Sequence, residues 1–479
     1  MGKYTYNKVT PEIIEQLKVA ANGHVLVGDE INEDFYHDEM RIYGTGIPEV
    51  VVEATSTEEV AAVMKICNDN KIAVTPSGAR TDLVGGPVAK YGGVILSTLK
   101  MNKILGYDEE NLVVKIQPGV LLNDLAQDAL SRGLMYPPDP GEKFATVGGN
   151  VSTNAGGMRA VKYGCTRDYV RAMTVVLPTG EVVKEGANVA KTSSGYSLMN
   201  LIIGSEGTLG IVTELTLKVI VAPKVTMSMI IPFETLEGAI GAVPKLFQAN
   251  LNPQALEFME KDVVIDTEKL LSKEVYPKTL NGVDINAYVL ATFDGSDEDD
   301  IMDTIEQASE VVLEAGAVDV LVADTPQQLK DAWAVRSALL ESIEGNTKLL
   351  DECDVVVPVT KIPDFLTYAK SLQEGHSYTI KDFGHAGDGN LHVYLCSNGD
   401  DKEAFMAESE EFMKKVYAKA VELGGLISGE HGIGAGKMSF LADFVGPVNM
   451  RLMRGIKNVF DPNMILNPGK VCFDPEVDE

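Results

Sequence analysis

Three glycine-rich segments in the N-terminal half of the chain constrain its fold more than any other feature of the sequence. They comprise residues 76–86, 146–157 and 204–212. Glycine allows backbone conformations that turn successive N–H groups toward one point, and such a nest binds the oxygens of a diphosphate. One segment of this kind could equally be a tight turn. Three of them in one region instead indicate a backbone-lined site for an extended ligand.

The spacing of these glycines argues against the two commonest nucleotide-binding motifs. The sequence contains neither G-x-x-x-x-G-K-[ST] nor a G-x-G-x-x-G that follows a strand. A nucleoside triphosphate site and a Rossmann dinucleotide site are therefore both disfavoured. The remaining interpretation is a large, extended dinucleotide that several loops hold together.

Short apolar strands alternate with helical patterns from about residue 49 to residue 219, which is typical of an α+β domain. Ser56 should open a helix in a capping-box pattern with Glu59, and a second helix should end at Gly133. We assign residues 1–222 to this domain, which carries all three glycine-rich segments. Its strands are predicted at residues 50–54, 72–74, 94–97, 112–116 and 173–177, and its second helix at residues 122–132.

The pattern changes near Pro223, where strand-like runs begin to alternate with longer amphipathic helices. A second α+β domain should span residues 223–423, and a C-terminal segment should span residues 424–479. The chain of 479 residues is longer than one hydrophobic core usually serves, which agrees with this division. The second domain is predicted to contain strands at residues 227–232, 288–293, 319–323, 354–357 and 378–383, and helices at residues 299–314 and 402–423.

Three of the six histidines lie in two short C-terminal motifs, Gly-His-Ala-Gly-Asp-Gly-Asn-Leu-His and Glu-His-Gly. Two imidazoles and a carboxylate can hold a divalent metal and leave coordination positions open, as catalytic sites do. We therefore predict His385, His392 and Glu430 as metal ligands. Nitrogen and oxygen donors together fit zinc, iron(II) or manganese, and the sequence does not choose between them. The alternative is a pair of solvated loop histidines.

Two further residues of these motifs receive separate predictions. His431, which follows Glu430, is a candidate general base at the same place. The alternative is that His431 orients the substrate. Asp388 should shape its loop by accepting nearby N–H groups and should not be a metal ligand.

The composition excludes several classes of partner. Against 41 lysines and arginines there are 70 acidic residues, a net charge of −29, which argues against nucleic acid and anionic membrane. We find no cleavable apolar leader and no uninterrupted apolar stretch of about 18 residues, so we expect a cytoplasmic protein. Five scattered cysteines without a C-x-x-C pair argue against an iron–sulfur ligand set and against a disulfide framework.

Together, these motifs make the chain resemble the FAD-linked D-2-hydroxy-acid dehydrogenases, the branch that includes the glycolate oxidase D subunit, D-lactate dehydrogenases and D-2-hydroxyglutarate dehydrogenase. The resemblance covers nearly the whole chain. It implies a two-part α+β FAD-binding domain of the vanillyl-alcohol-oxidase type, an α+β cap domain and a C-terminal segment that returns to the flavin. It rests on residues 147–149, 154–157, 204–210, 384–392, 428–434 and 467–470.

The resemblance implies that the dinucleotide is FAD. Some relatives tether FAD through a histidine in the first glycine-rich segment, but this segment has none, so we expect non-covalent FAD. The residues implied to bind it are Pro76, Ser77, Gly78, Ala79, Arg80, Thr81, Asp82, Pro140, Thr146, Gly148, Gly149, Ser152, Thr153, Asn154, Gly157, Glu206, Gly207, Gly210, Ile211 and Asn467.

The reaction implied is the FAD- and metal-dependent oxidation of a small D-2-hydroxy acid to the 2-oxo acid, with the hydride passing to flavin N5. The metal would chelate the substrate hydroxyl and lower its pKa, and His431 would take the proton. Arg336 is the candidate for binding the substrate carboxylate in bidentate fashion. A surface arginine in an ion pair is the alternative for Arg336.

Two departures from the hydroxyglutarate enzymes bear on the substrate. Glu352 stands where those enzymes carry a lysine, and Tyr394 stands where they carry an asparagine. Loss of the lysine cation disfavours a dicarboxylate. We therefore expect D-lactate first, with glycolate and D-2-hydroxyglutarate as the alternatives.

The reduced flavin needs an acceptor, and the sequence offers no internal one. We expect a protein partner, either an electron-transfer flavoprotein or an iron–sulfur subunit, and an acidic surface would favour encounter with a basic partner. Two functions of another class stay open. A metal-dependent hydrolase would use the predicted ligands but leave the glycine-rich segments without a role. A non-catalytic flavoprotein subunit would be expected to lack the metal ligands and His431.

Overall fold

The computed structural model describes residues 4–476, and these residues form two compact units. The first unit contains the chain up to Gly156, residues 165–222 and the chain from Glu430 onward. The second unit contains residues 157–164 and 223–429. The predicted second domain ends at residue 423 and the predicted first domain includes residues 157–164, so the structure differs in these two respects.

A four-stranded sheet forms one half of the first unit. Three of its strands are parallel, and the edge strand Val25–Val27 is antiparallel to its neighbour. The helices Pro11–Ala20 and Thr57–Asp69 bury their apolar side chains against this sheet in one cluster. The strand order is Val25–Val27, Val50–Glu53, Val94–Ser97 and Val74–Ser77.

The helix Thr57–Asp69 begins as predicted, because the Ser56 hydroxyl accepts the N–H of Glu59 at 3.2 Å. The return half of the capping box is shifted by one residue. The Glu59 carboxylate accepts the N–H of Thr55 at 2.7 Å, not that of Ser56.

An antiparallel five-stranded sheet forms the other half of the first unit. The helix Leu122–Ser131 follows the strand Val113–Ile116 in the chain, and Gly133 after it has a left-handed backbone, at φ +72°. The strand order is Ile104–Asp108, Val113–Ile116, Ile211–Lys218, Val170–Val176 and Val182–Gly186. The remaining elements of this unit are the strands Leu134–Met135 and Ile220–Val221, the helices Leu198–Ile202 and Met438–Phe460 (kinked at Gly446), and the 3-10 turns Gly28–Glu30, Glu33–Phe35, Arg41–Tyr43 and Thr166–Tyr169.

Residues 147–153 of the second glycine-rich segment form a helix, so the prediction of a loop there was wrong. The helix Val147–Thr153 begins at Thr146, whose hydroxyl accepts the N–H of Gly149 at 3.2 Å. A Cβ on Gly148 would lie 2.4 Å from the Pro118 side chain. Gly148 is therefore required by the close packing of this helix against Pro118.

An antiparallel seven-stranded sheet is the framework of the second unit. All five strands predicted for this domain belong to it; four are longer than predicted, and Leu321–Ala323 is shorter. Its strand order is Leu321–Ala323, Val225–Phe233, Ala287–Gly295, Ala255–Glu260, Thr379–His385, Asn390–Ser397 and Leu349–Val356.

Helices cover the sheet of the second unit and close its core. Tyr288 and Leu290 of the sheet form one buried cluster with Val335 and Leu339 of two helices. The helices are Ala160–Tyr163, Leu236–Gln248, Lys261–Leu271, Glu298–Glu314, Pro326–Ser337, Leu339–Gly345, Ile362–Ser371 and Lys402–Glu422, with the 3-10 turn Val359–Lys361 and the hairpin Thr279–Leu280 and Val283–Asp284.

One buried carboxylate explains why residues 157–164 belong to the second unit. Asp294 accepts hydrogen bonds from the Tyr163 hydroxyl at 2.7 Å and from the Gln254 amide at 2.8 Å. The Lys162 ammonium forms an ion pair with the same carboxylate. A buried carboxylate requires such partners, and here two of the three come from this short segment.

Among residues 4–476, none of the helices combines the length and the apolar character that crossing a bilayer requires.

Candidate cofactor cleft and histidine pair

A cleft in the first unit is lined by the glycine-rich segments and encloses about 1240 Å³, including the open solvent at its mouth. Three of the residues that line it each carry a buried polar atom without a hydrogen-bond partner in the described chain: Arg80 Nη1, Asn150 Nδ2 and Asn467 Oδ1. Leaving such an atom unpaired costs about 1–3 kcal/mol. A large polar ligand in the cleft would therefore lie next to residues that hold two unpaired donors and one unpaired acceptor.

Most of the residues predicted to bind the dinucleotide lie together in this cleft. Asn154 and Gly157 do not line it: the Asn154 side chain accepts the N–H of Arg167 at 3.0 Å, and Gly157 belongs to the second unit. The predicted residues that line the cleft are Pro76, Ser77, Gly78, Ala79, Arg80, Thr81, Asp82, Pro140, Thr146, Gly148, Gly149, Ser152, Thr153, Glu206, Gly207, Gly210, Ile211 and Asn467.

The first glycine-rich segment packs closely against the second at one point of the cleft. A Cβ on Gly78 would lie 2.4 Å from the Thr146 hydroxyl oxygen, so only glycine fits there. The neighbouring Arg80 adopts a left-handed backbone, at φ +64°, and its guanidinium lies 4.3 Å from the centroid of the Phe35 ring. Burial lowers the pKa of Arg80 from its ordinary value.

Glu430 and His431 line the same cleft. Both side chains are largely buried, and His431 Nε2 lies 3.8 Å from a Glu430 oxygen. Glu430 also contacts the end of the second glycine-rich segment, because a Cβ on Gly156 would lie 3.0 Å from its Oε2. The predicted base and the predicted carboxylate ligand therefore lie on the wall of the predicted dinucleotide site.

Three acidic side chains of the first unit, Asp38, Asp82 and Glu206, interact electrostatically, and Asp82 and Glu206 line the cleft. Burial raises the pKa of Asp38 and of Glu206 to about 7 each, and it also raises the pKa of Asp82. The Asp82 charge raises the pKa of the other two further. Backbone N–H groups oppose the effect, since Gly85 donates to Asp38 at 2.6 Å and Gly86 donates to Asp82 at 2.6 Å.

In the second unit, His385 and His392 face each other across a β-hairpin. His385 ends the strand Thr379–His385, His392 lies in Asn390–Ser397, and their ring centroids are 5.4 Å apart. Both rings are buried. Between the strands Asp388 accepts the N–H of Asn390 at 3.1 Å, the loop-shaping role predicted for it.

Each imidazole is held through its Nδ1 by a buried carboxylate. His385 Nδ1 lies 2.9 Å from Glu257, its direct partner on the neighbouring strand, and His392 Nδ1 lies 3.0 Å from Glu352. An ionised carboxylate can only accept a hydrogen bond, so each Nδ1 is the donor and each Nε2 is the basic nitrogen. This carboxylate–histidine arrangement is the one that orients imidazoles for metals.

Glu257 also binds Arg336, the predicted ligand of a substrate carboxylate. The Nε and one terminal nitrogen of Arg336 lie 2.9 and 2.6 Å from Glu257 Oε2, and the guanidinium stacks on the Phe383 ring. Burial raises the pKa of Glu257, but the charges and hydrogen bonds of His385 and Arg336 outweigh it, and the pKa falls below its ordinary value. Glu257 is thus ionised and links His385 to Arg336.

Sequence reasoning missed Glu257 and interpreted Glu352 only as a determinant of the substrate. Glu257 lies 128 residues before His385, and no local motif marks it. Glu352 stands two residues before Asp354, the residue paired with His392 across the strands, which places it on the same face. Burial and the adjacent Glu352 raise the pKa of Tyr394 well above its ordinary value, so this phenol stays neutral.

Asp354 holds the end of the second unit. Its carboxylate accepts the N–H of Gly429 at 3.1 Å, the Ser428 hydroxyl at 2.8 Å and the Asn390 amide at 2.7 Å. The chain therefore leaves the second unit immediately before Glu430, and not at residue 423.

Comparison with known proteins places the chain among flavoproteins. Family models match it for an FAD binding domain over residues 48–186 and for the C-terminal domain of FAD linked oxidases over residues 222–471. A D-lactate dehydrogenase of Anaerostipes hadrus is 72% identical, over 99% of this chain and 100% of its own. A D-lactate dehydrogenase of Archaeoglobus fulgidus is 39% identical, over 88% and 91%. The solved structure of p-cresol methylhydroxylase with substrate bound superposes with a TM-score of 0.79, at 18% identity over 99% and 100%.

The raised pKa of Asp38 predicts how stability depends on pH. The pKa of this carboxyl is 3.8 ordinarily and about 7 in the folded chain. The free energy of unfolding should therefore fall as the pH rises from about 4 to 7. The asparagine in Asp38→Asn cannot ionise. The free energy of unfolding of this variant, relative to that of the wild type, should therefore be about 2–3 kcal/mol higher at pH 8 than at pH 5. Urea denaturation at both pH values measures this difference. The exposed Asp29→Asn is the control, and an equal effect of Asp38→Asn at both pH values would contradict the account.

Proposed function

Since the chain belongs to the FAD-linked oxidase family and has the α+β fold of vanillyl-alcohol-oxidase-type flavoproteins, we propose that it oxidises D-lactate to the 2-oxo acid. The observation that carries this proposal is the place of His431 and Glu430 on the wall of the dinucleotide cleft. A base beside a flavin site is what the oxidation of an alcohol requires, because the hydroxyl must lose its proton as C2 loses hydride.

FAD fits the cleft because the unsatisfied polar atoms there match a cofactor rich in both donors and acceptors. The Arg80 guanidinium would bind a diphosphate oxygen, and Asn150 and Asn467 would bind polar edges of the cofactor. When bound, FAD supplies the acceptor for the hydride. No histidine lies in the first glycine-rich segment, which supports non-covalent binding.

A divalent metal fits the histidine pair, and we propose His385, His392 and Glu430 as its ligands. The support is chemical: two imidazoles fixed by carboxylates through Nδ1, and a carboxylate one residue after the anchored Gly429. When bound, a metal supplies a Lewis acid that lowers the pKa of a substrate hydroxyl. The donor set suits zinc, iron(II) or manganese.

The remaining roles belong to side chains of this chain. His431 is proposed to accept the proton of the substrate hydroxyl, and its neighbour Glu430 would stabilise the imidazolium that results. Arg336 is proposed to bind the substrate carboxylate. Since two of its nitrogens contact Glu257, that role would use the other edge of the guanidinium, which carries five N–H donors in total.

The charge of the histidine pocket favours a small monocarboxylate. Glu352 and Glu257 are buried carboxylates behind the two imidazoles, and a second carboxylate on the substrate would be repelled there. The names of the relatives from Anaerostipes hadrus and Archaeoglobus fulgidus support D-lactate.

For reoxidation we propose a protein acceptor, either an electron-transfer flavoprotein or an iron–sulfur subunit. The net charge of −29 would speed encounter with a basic surface. Pull-down from the native host tests this proposal. Failure to recover either kind of partner, together with fast reaction of the reduced flavin with oxygen, would count against it.

The function is tested by anaerobic mixing of the holoenzyme with D-lactate, L-lactate, glycolate and D-2-hydroxyglutarate while the flavin absorbance is followed. We expect D-lactate to bleach the flavin fastest. Fastest bleaching by glycolate or D-2-hydroxyglutarate would change the substrate assignment. Bleaching by none of the four acids would refute the proposed function.

The role of His431 predicts a specific loss of rate. His431→Ala should bind FAD normally and slow flavin reduction by D-lactate about 10²–10⁴-fold, because the general base is missing. Stopped-flow absorbance measures this rate. His376→Ala, which removes a partly exposed histidine paired with Glu408, is the control and should keep the wild-type rate. A His431→Ala enzyme as fast as the wild type would remove His431 from the mechanism.

The Glu352 carboxylate, which orients His392, should strengthen metal binding. Glu352→Ala should weaken metal binding about 10–100-fold, because Nδ1 loses the acceptor that orients the ring. Glu352→Gln keeps an acceptor oxygen without the charge and should lose less metal affinity than Glu352→Ala. Metal content after dialysis against graded EDTA measures the effect, with the exposed Glu341→Ala as the control. Unchanged metal retention in Glu352→Ala would contradict the assigned site.

A further inference from the structure

The loop that carries His431 has a glycine at every second position, in His431-Gly432-Ile433-Gly434-Ala435-Gly436. Gly432 and Gly434 have left-handed backbones, at φ +90° and +51°. On one side of the loop, the Val84 carbonyl accepts the N–H groups of Ala435 and Gly436 at 2.9 and 3.0 Å. A Cβ on Gly434 would lie 2.2 Å from that same oxygen, so the loop lies too close to Val84 for a side chain at this position.

On its other side, the loop is bound by Glu206. One carboxylate oxygen accepts the N–H of Ile433 at 2.8 Å, and the other accepts the N–H of Gly434 at 2.6 Å. A Cβ on Gly432 would lie 2.9 Å from the first oxygen, so a larger residue there would displace the carboxylate. The two hydrogen bonds lie two and three residues after the imidazole.

The backbone of Glu206 is itself held in an unusual conformation. Its φ is +53°, in the left-handed region that costs a residue with a side chain about 1–2 kcal/mol. Its N–H donates to the Ser152 carbonyl at 2.7 Å, and its own carbonyl accepts the Asn467 amide at 2.8 Å. Strain that the surroundings maintain in this way occurs most often at functional sites.

We propose that Glu206 is a positioning residue for His431. Its carboxylate fixes the backbone after the histidine and so holds the imidazole toward the cofactor cleft. This inference rests on the proposed function, in which His431 is the base. It adds a role to the cofactor contact predicted for Glu206, since the carboxylate binds the protein loop.

The test compares Glu206→Gln with Glu214→Gln in FAD-loaded protein. In Glu206→Gln the side-chain amide would offer one acceptor oxygen, and its NH₂ group would face a second N–H donor. Glu214 is a partly buried acid of the same unit that pairs with Lys115, and it serves as the matched control. Hydrogen exchange of the peptide spanning residues 431–436 should speed up about tenfold or more in Glu206→Gln only.

The kinetic arm uses a double-mutant cycle. Glu206→Gln should slow flavin reduction by D-lactate about 10–100-fold with little change in KM, because a misplaced base affects the chemical step. In a His431→Ala background the same substitution should cause no further loss, since it acts through the imidazole.

Three results would overturn the inference. They are unchanged exchange over residues 431–436, a full additional loss of rate in the His431→Ala background, and a loss of FAD affinity alone with the reduction rate of loaded protein unchanged. A wild type that no 2-hydroxy acid reduces would instead refute the proposed function. The exchange measurement needs no substrate and would still decide whether Glu206 holds the loop.

Discussion

The two carboxylate–histidine pairs, Glu257 with His385 and Glu352 with His392, are the interactions on which the rest of the site depends. Burying these four side chains without mutual partners would be prohibitively unfavourable. The pairing of the strands must therefore place each carboxylate next to its imidazole. Antiparallel register does this. Glu257 lies directly across from His385, and Glu352 lies diagonal to His392. The pairing fixes which nitrogen of each ring is basic, and with it the chemistry open to the pocket.

The cofactor cleft of the first unit differs in its polar groups. There, glycines such as Gly78 and Gly148 let neighbouring segments pack closely, and three residues of the cleft wall each carry a buried polar atom without a partner in the described chain. The first unit therefore holds unsatisfied polar groups that suit a large cofactor, whereas the second holds satisfied carboxylate–imidazole pairs that suit a metal. The return of the chain at Glu430 gives the cofactor cleft its own acidic and basic side chains.

Local patterns in the sequence were enough to predict much of this architecture. The strand Val94–Ser97 and the N-cap at Ser56 follow from short-range chemistry. Most of the residues that the family resemblance implied for the cofactor line one cleft. The partners of the histidines did not follow, because Glu257 meets His385 only through the pairing of strands far apart in sequence. The helix Val147–Thr153 was missed because its two glycines resemble those of a loop, whereas Gly148 is required by packing against Pro118.

We propose that His385, His392 and Glu430 together bind one metal ion. Anomalous X-ray diffraction from crystals of the FAD-loaded protein, recorded at the absorption edges of zinc, iron and manganese, tests it most directly. The account predicts a single strong peak within coordination distance of Nε2 of both histidines and of a Glu430 oxygen, about 2.0–2.2 Å for zinc. No peak there, or a peak bound to other side chains, would contradict it.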